Sequence, residues 1–182
     1  LTEEARAIIA AADTFFVASY ADRDQERQVD VSHRGGKPGF VRVEDDGLLT
    51  IPDFSGNFHF NTLGNFVINP RAGLLFVDFE TGDILQIAGT AQVITDSPEI
   101  DAFEGAERIW TFHPSRVVLR RGASALRWKM RENAFSAKSL RTGSWEDVAS
   151  RLEDDRSSYS NNIEKLQRSS DLPFGAAREI EA

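Results

Sequence analysis

Between residues 15 and 94 the chain carries six runs of β-branched, aromatic or alternating residues, at 15–20, 28–32, 40–43, 48–51, 72–79 and 84–94, with only one helical pattern among them. A parallel sheet needs a long crossover after each strand, usually a helix. Here the connections are too short for that: 44–47 reads Glu-Asp-Asp-Gly and 80–83 reads Glu-Thr-Gly-Asp, both tight-turn chemistry. The spacing therefore demands an antiparallel sheet, closed or split as a barrel. The run 72–79 is nearly all apolar and suits burial on both faces. Gly89 falls inside the longest run, where a barrel strand bends or bulges.

The one helical pattern lies in LLTIPDFSGNFHFNTLGNFVINPRAGLLFVD, residues 48–78. Leu63, Phe66 and Val67 are spaced i, i+3 and i+4, which puts them on one helical face, and Asn61 is the expected N-cap. Pro70 lacks a backbone donor and restricts Asn69, so the helix stops there. The result is a helix N-terminus opening beside a strand end, with Gly56 allowing close approach and Asn57, His59, Asn61 and Thr62 as donors. Such an end suits an anion. Upstream, 29–40 reads Val-Asp-Val-Ser-His-Arg-Gly-Gly-Lys-Pro-Gly-Phe, a strand running into a cationic, glycine-rich turn, with polar donors again at a strand end.

Together these stretches resemble the FMN-binding split-barrel family, the pyridoxamine 5′-phosphate oxidase-like flavoproteins. The resemblance rests on an S-x-R-G-G-x-P-G-F-V turn at 32–41, a P-D-x-x-G-N loop at 52–57 and a T-L-x-N-x-x-x-N-P-R helix at 62–71, and spans roughly 13–95. Three ordered motifs are far more specific than one. The resemblance implies a mainly β fold, a six- to eight-stranded antiparallel split β-barrel with a short internal helix and N- and C-terminal helices. It implies FMN, its phosphate held by Ser32, Arg34, Asn61 and Thr62, with His33, Gly35 and His59 in the same two stretches. The flavin ring would lie along Ile51, Pro52, Asp53 and Asn57, with Gln86 on the adjoining strand. Many relatives have Ser-Arg-Lys where this chain has Phe60-Asn61-Thr62, so a cation is lost and Arg34 must carry more of the phosphate charge. Trp110, Trp128 and Arg127 only loosely match the oxidase arrangement for substrate phosphate, so oxidation of vitamin B6 is not expected.

The remaining chain supplies flanks. Acids at Glu3 and Glu4 open an alanine-rich helix over 5–12. Ser97 and Pro98 begin a short helix, and 108–112 and 116–119 read as closing strands separated by His113-Pro114. Ser144 caps a last helix whose Trp145, Val148 and Leu152 share a face that Tyr159, Ile163 and Leu166 continue, and 169–182 reads as a tail or an arm laid on a partner. This divides the chain into an FMN-binding barrel over 1–128 and a C-terminal helical extension over 129–182.

Composition closes off other functions. The chain of 182 residues has no cysteine, which excludes disulfides, cysteine-bound zinc and a cysteine nucleophile. A formal charge of −8 argues against general nucleic-acid binding. The residues 105–142 nonetheless hold nine Lys or Arg against two acids, enough to serve a phosphate or an acidic partner. No membrane-length apolar run and no signal-peptide pattern is present, and cytoplasm is the expected compartment. Three widely spread histidines suggest no metal triad, and no hydrolase elbow, paired-carboxylate site or Walker loop appears. A fold with ligand donors but no nucleophile suits a flavin, which brings its own redox chemistry. The expected function is a homodimeric FMN oxidoreductase with the cofactor at the subunit interface, moving electrons or hydride between NAD(P)H or another donor and a small molecule. The alternatives are a flavin or haem sensing module without turnover, and a deazaflavin (F420) reductase.

Overall fold

The computed structural model describes residues 1–24, 26–56, 60–129, 131 and 135–170. Helix α1 (Glu3–Ala11) precedes β1 (Thr14–Arg23), β2 (Glu26–Gly35), β3 (Arg42–Val43) and β4 (Leu49–Phe54). Then come α2 (Asn61–Ile68), β5 (Arg71–Val77), β6 (Ile84–Ile94), α3 (Pro98–Ala102), β7 (Ala106–Arg120), α4 (Ala137–Leu140) and α5 (Trp145–Ser170). The strands form one seven-stranded antiparallel sheet in the order β2-β1-β5-β6-β7-β4-β3. This is the mainly β split barrel that the sequence implies.

Period-two alternation builds the core. In β1, Phe15 and Val17 are fully buried while Phe16 between them faces out, and in β6 Leu85, Ile87 and Ala91 turn inward. Phe15 stacks on Phe76 with centroids 4.9 Å apart and lies 6.2 Å from Trp110, which Phe66 of α2 covers at 5.2 Å. Each fully buried side chain of this size contributes about 1.5 to 3 kcal/mol. The two asparagines of the T-L-x-N-x-x-x-N-P helix are tethers: Asn65 Nδ2 donates to Ser19 Oγ at 3.1 Å and Asn69 Nδ2 to the Tyr20 carbonyl at 3.1 Å, pinning α2 along β1.

Four local expectations are corrected. Strand β2 does not end at Ser32 but runs through Arg34 to Gly35, so these two are strand residues. The N-cap of α2 is Phe60, without a side-chain cap bond, and Asn61 is the first helical residue. Its buried residues are Thr62, Leu63 and Phe66, whereas Val67 is 77% exposed, because α2 lies on β1 along a narrower stripe than the spacing suggested. Finally, β7 is one strand of 15 residues rather than two. Its ladder with β6 shifts register between Ala88 and Gly89, so Ser115 is left over and its Oγ donates to the Ala88 carbonyl at 3.0 Å. The shift accommodates Pro114 within a central strand. Gly89 is obligatory there: a Cβ would collide with the His113 carbonyl oxygen and the Phe112 ring. Stops and caps elsewhere follow the sequence, with Asn69 closing α2 and Ser97 and Pro98 opening α3.

The C-terminal helix is anchored at its start. Trp145, Val148 and Leu152 pack with Ala102, Phe103 and Phe54, and the Arg42 guanidinium sits 3.9 Å over the Trp145 ring. Tyr159, farther along, is 70% exposed. Ser144 and Asp147 cap each other: the Ser144 amide and hydroxyl both donate to Asp147 Oδ2 at 2.9 Å, and the Asp147 amide donates to Ser144 Oγ at 3.2 Å. The two bonds that Oδ2 accepts, the hydroxyl's first, hold the Asp147 carboxyl below its usual range. A carboxyl depressed in the fold stabilises it fully above the ordinary carboxylate range, and the contribution disappears as pH falls through the depressed value. Circular dichroism at 222 nm is expected to show helix loss at a higher pH in Asp147→Ala than in the native chain. Coincident acid transitions would remove the cap from the account. Among the described residues no helix is long and apolar enough to cross a membrane.

Candidate functional site

Strands β2 and β4 lie five places apart in the sheet, yet Arg34 of β2 donates from Nη1 to Asp53 Oδ1 of β4 at 2.7 Å. The sheet therefore curls until its two ends face each other across a gap that side chains, not a hydrogen-bond ladder, bridge. That gap is the split of the barrel. Asp53 is only 4% exposed and receives a second cation, Arg108 Nε of β7, at 3.1 Å. Arg108 also reaches Glu107 at 2.6 Å and lies 4.7 Å over the Phe60 ring, just before α2.

Alternation on β2 puts Asp30, Ser32 and Arg34 on one face, each half-buried. The first turn of α2 comes down on this row. Thr62 is buried, its Oγ1 lying 2.5 Å from Asp30 Oδ2 and 2.8 Å from Ser32 Oγ, while Ser32 Oγ donates to Asp30 Oδ2 at 2.8 Å. A hydroxyl has one proton to give, and here Asp30 collects them. Arg34 is the member of the row with capacity left: its Nε is buried and has no partner among the described residues.

Past Arg34 the gap widens into a cavity of about 840 Å³, lined by His33, Arg34, Gly35 and Gly36 from the β2 end and by Pro52, Phe54 and Gly56 from the β4 end. Its size is at the upper end of the roughly 300 to 1,000 Å³ usual for ligand pockets. His33 Nε2 shares a hydrogen bond with Thr14 Oγ1, and the ring meets Phe16 edge-on at 5.9 Å. Gly36 is required by packing, since a Cβ there would stand 2.5 Å from the Phe40 ring.

Of the residues expected at the site, His33, Arg34, Gly35 and Pro52 line this cavity, Asp53 accepts from Arg34 beside it, and Ser32 and Thr62 form the neighbouring hydroxyl cluster. Ile51 is fully buried in the core and does not line the cavity, and Asn61 is exposed at the start of α2. Gln86 is not brought to the cavity. It lies on the outer face of β6 in a separate depression with Phe16, Val31 and Arg116, and accepts from Arg120 Nε at 3.1 Å. Asn57 and His59 lie outside the described residues. Asp30, Arg108 and Arg141 were missed as parts of the site. Asp30 was legible, two positions before Ser32 on the same strand; Arg108 and Arg141 stood in the basic stretch with nothing local to single them out.

A curled antiparallel sheet whose split opens into a cavity of ligand size defines a split barrel. The chain belongs to the pyridoxamine 5′-phosphate oxidase family, whose sequence pattern it matches over residues 1–127. No curated protein matches the chain at significance. Among solved structures it is similar to HupZ of Group A Streptococcus, at 18% identity over 65% of this chain and 93% of that one, with a TM-score of 0.48. It is also similar to the FAD binding protein from Mycobacterium smegmatis, at 12% identity over 66% and 95% with a TM-score of 0.46. A third is a Clostridium acetobutylicum protein related to general stress protein 26, at 14% identity over 65% and 86% with a TM-score of 0.46. At such scores the assignment rests on the family pattern alone.

Proposed function

We propose that the chain is an FMN-binding oxidoreductase that passes electrons or hydride between a donor such as NAD(P)H and a small acceptor, working in the cytoplasm as a homodimer with FMN at the subunit interface. The observation that carries this reading is Arg34, which lines a cavity of ligand size and whose buried Nε has no partner among the described residues. A buried donor without a partner is costly, and a phosphate oxygen is a partner of the right charge. Arg34 would hold the phosphate, with Ser32, Asn61 and Thr62 around it. Because Asp30 takes up the Ser32 and Thr62 hydroxyls, most of the anion's stabilisation falls to Arg34. The ring would lie along Ile51, Pro52, Asp53 and Asn57, with His33, Gly35 and His59 in the two phosphate-binding stretches. When bound, FMN supplies the redox chemistry, and the chain's residues bind it, orient it and keep water from it.

The barrel, 1–128, would carry the cofactor and 129–182 would be the extension that covers it. Self-association is supported by the outer face of β1 and β2, where Phe16, Val29 and Val31 are 37%, 68% and 67% exposed. Gln86 shares that face, so in a dimer it would serve the cofactor held by the other copy.

The test is to denature the purified protein and read the absorbance and mass of what it releases, then titrate the emptied protein with FMN while following its melting temperature. A ligand that binds only the folded form must raise that temperature. Release of FMN, or saturable stabilisation by it, supports the reading. Haem, a deazaflavin, or no shift at millimolar FMN ends it.

A further inference from the structure

The barrel alone does not make the cavity. Its far wall is Phe135, Ser139, Arg141 and Thr142, from the segment that precedes α5. Three bonds hold that segment in place: Lys37 Nζ donates to the Thr142 carbonyl at 2.7 Å, the Gly143 amide to the Glu104 carbonyl at 2.9 Å, and Trp145 Nε1 to the Phe40 carbonyl at 2.9 Å. Gly143 permits the approach, because a Cβ there would be 3.1 Å from the Glu104 nitrogen. Arg141 is thus fixed at the cavity from the next residues along.

Its guanidinium is only partly committed. Nε donates to the Ala137 carbonyl at 3.2 Å, and among the described residues no carboxylate pairs with it. The other cations nearby already have one partner each: Arg34 Nη1 donates to Asp53 and Lys37 Nζ to the Thr142 carbonyl. The walls between Arg34 and Arg141 are largely apolar, with Phe40, Phe54 and Phe135 among them. Two acids, Asp13 and Glu104, line the same space, and Glu104 has Arg151 at 4.0 Å. At the Arg141 end, close to those acids, a single carboxylate matches the planar fork of one arginine better than a doubly charged group does.

We propose that this cavity binds an aromatic or alicyclic carboxylic acid, its apolar body against Phe40, Phe54 and Phe135 and its carboxylate on Arg141. The site names the class of the small molecule that exchanges electrons with the proposed flavin, and in that role it rests on the flavoprotein reading. Binding of the acid itself does not.

Titrate the full chain by calorimetry with 2-naphthoate and with its neutral isostere 2-naphthamide, first without flavin and then with saturating FMN. The native chain is expected to bind the acid at least tenfold more tightly than the amide. Arg141→Gln is expected to abolish that preference and leave the FMN dissociation constant within twofold, and Arg141→Lys to restore part of it. Equal affinity for acid and amide in the native chain overturns the proposal, as does a preference that survives Arg141→Gln. Lost FMN binding in Arg141→Gln also overturns it, by moving Arg141 to the cofactor. A chain that prefers naphthoate through Arg141 yet never binds FMN keeps this site and refutes the flavin.

Discussion

Replacing Asp53 by alanine is expected to cost about 3 to 5 kcal/mol of folding stability, read as a lowered denaturant midpoint at unchanged slope. Asp53 is the carboxylate on which the split of the barrel closes. It is almost wholly buried, with Arg34 Nη1 at 2.7 Å from one side and Arg108 Nε at 3.1 Å from the other. Without it, two guanidiniums whose side chains are 20% and 25% exposed face each other across the gap with no charge between them. Most of the loss comes from Arg34, since Arg108 keeps Glu107 and the Phe60 ring. Glu107→Ala, which removes the more exposed partner, is expected to cost less than about 1 kcal/mol. A loss below about 1 kcal/mol in Asp53→Ala would mean that packing, not this ion cluster, holds the two ends of the sheet together.

Arg34→Ala is expected to weaken FMN binding by about 1.5 to 3 kcal/mol, roughly tenfold to more than a hundredfold in dissociation constant. Arg34 is the proposed phosphate ligand with a donor to spare, and the chain has no lysine in the first turn of α2 to replace it. Because Arg34 also closes the gap, the titration is run below the variant's unfolding range, and Arg34→Lys separates the two roles by keeping charge without the fork. Arg121→Ala is the matched control. Arg121 is 72% exposed and pairs with Glu4 away from the cavity, so its removal should leave FMN affinity unchanged. Superimposable FMN titrations of the native chain and Arg34→Ala would strike the phosphate assignment.

What the amino-acid sequence determined by itself is the set of features written within a few neighbouring residues. The antiparallel class follows from turns too short for crossovers, the stop of α2 from Pro70, the starts of α3 and α5 from Ser97, Pro98 and Ser144, and the bulge from Gly89. The family follows from three motifs in order. Each is a local steric or hydrogen-bonding preference, expressed wherever the segment lies. Tertiary structure decided what depends on which distant segment arrives. Thr62 is buried and Val67 is exposed because β1 and β2 meet only one stripe of α2. Pro114 sits in mid-strand because a register shift 25 residues away in sequence, at Gly89, makes room for it. Gln86 faces outward, away from Arg34, because the parity of β6 is set by its ladder with β5 and β7. Asp53 lies between Arg34 and Arg108 only because the sheet curls, and Arg141 reaches the cavity only because Lys37, Glu104 and Phe40 bind the segment around it. Such long-range contacts leave no periodic trace in the sequence, since the free energy that selects them belongs to the whole barrel and not to any one stretch of it.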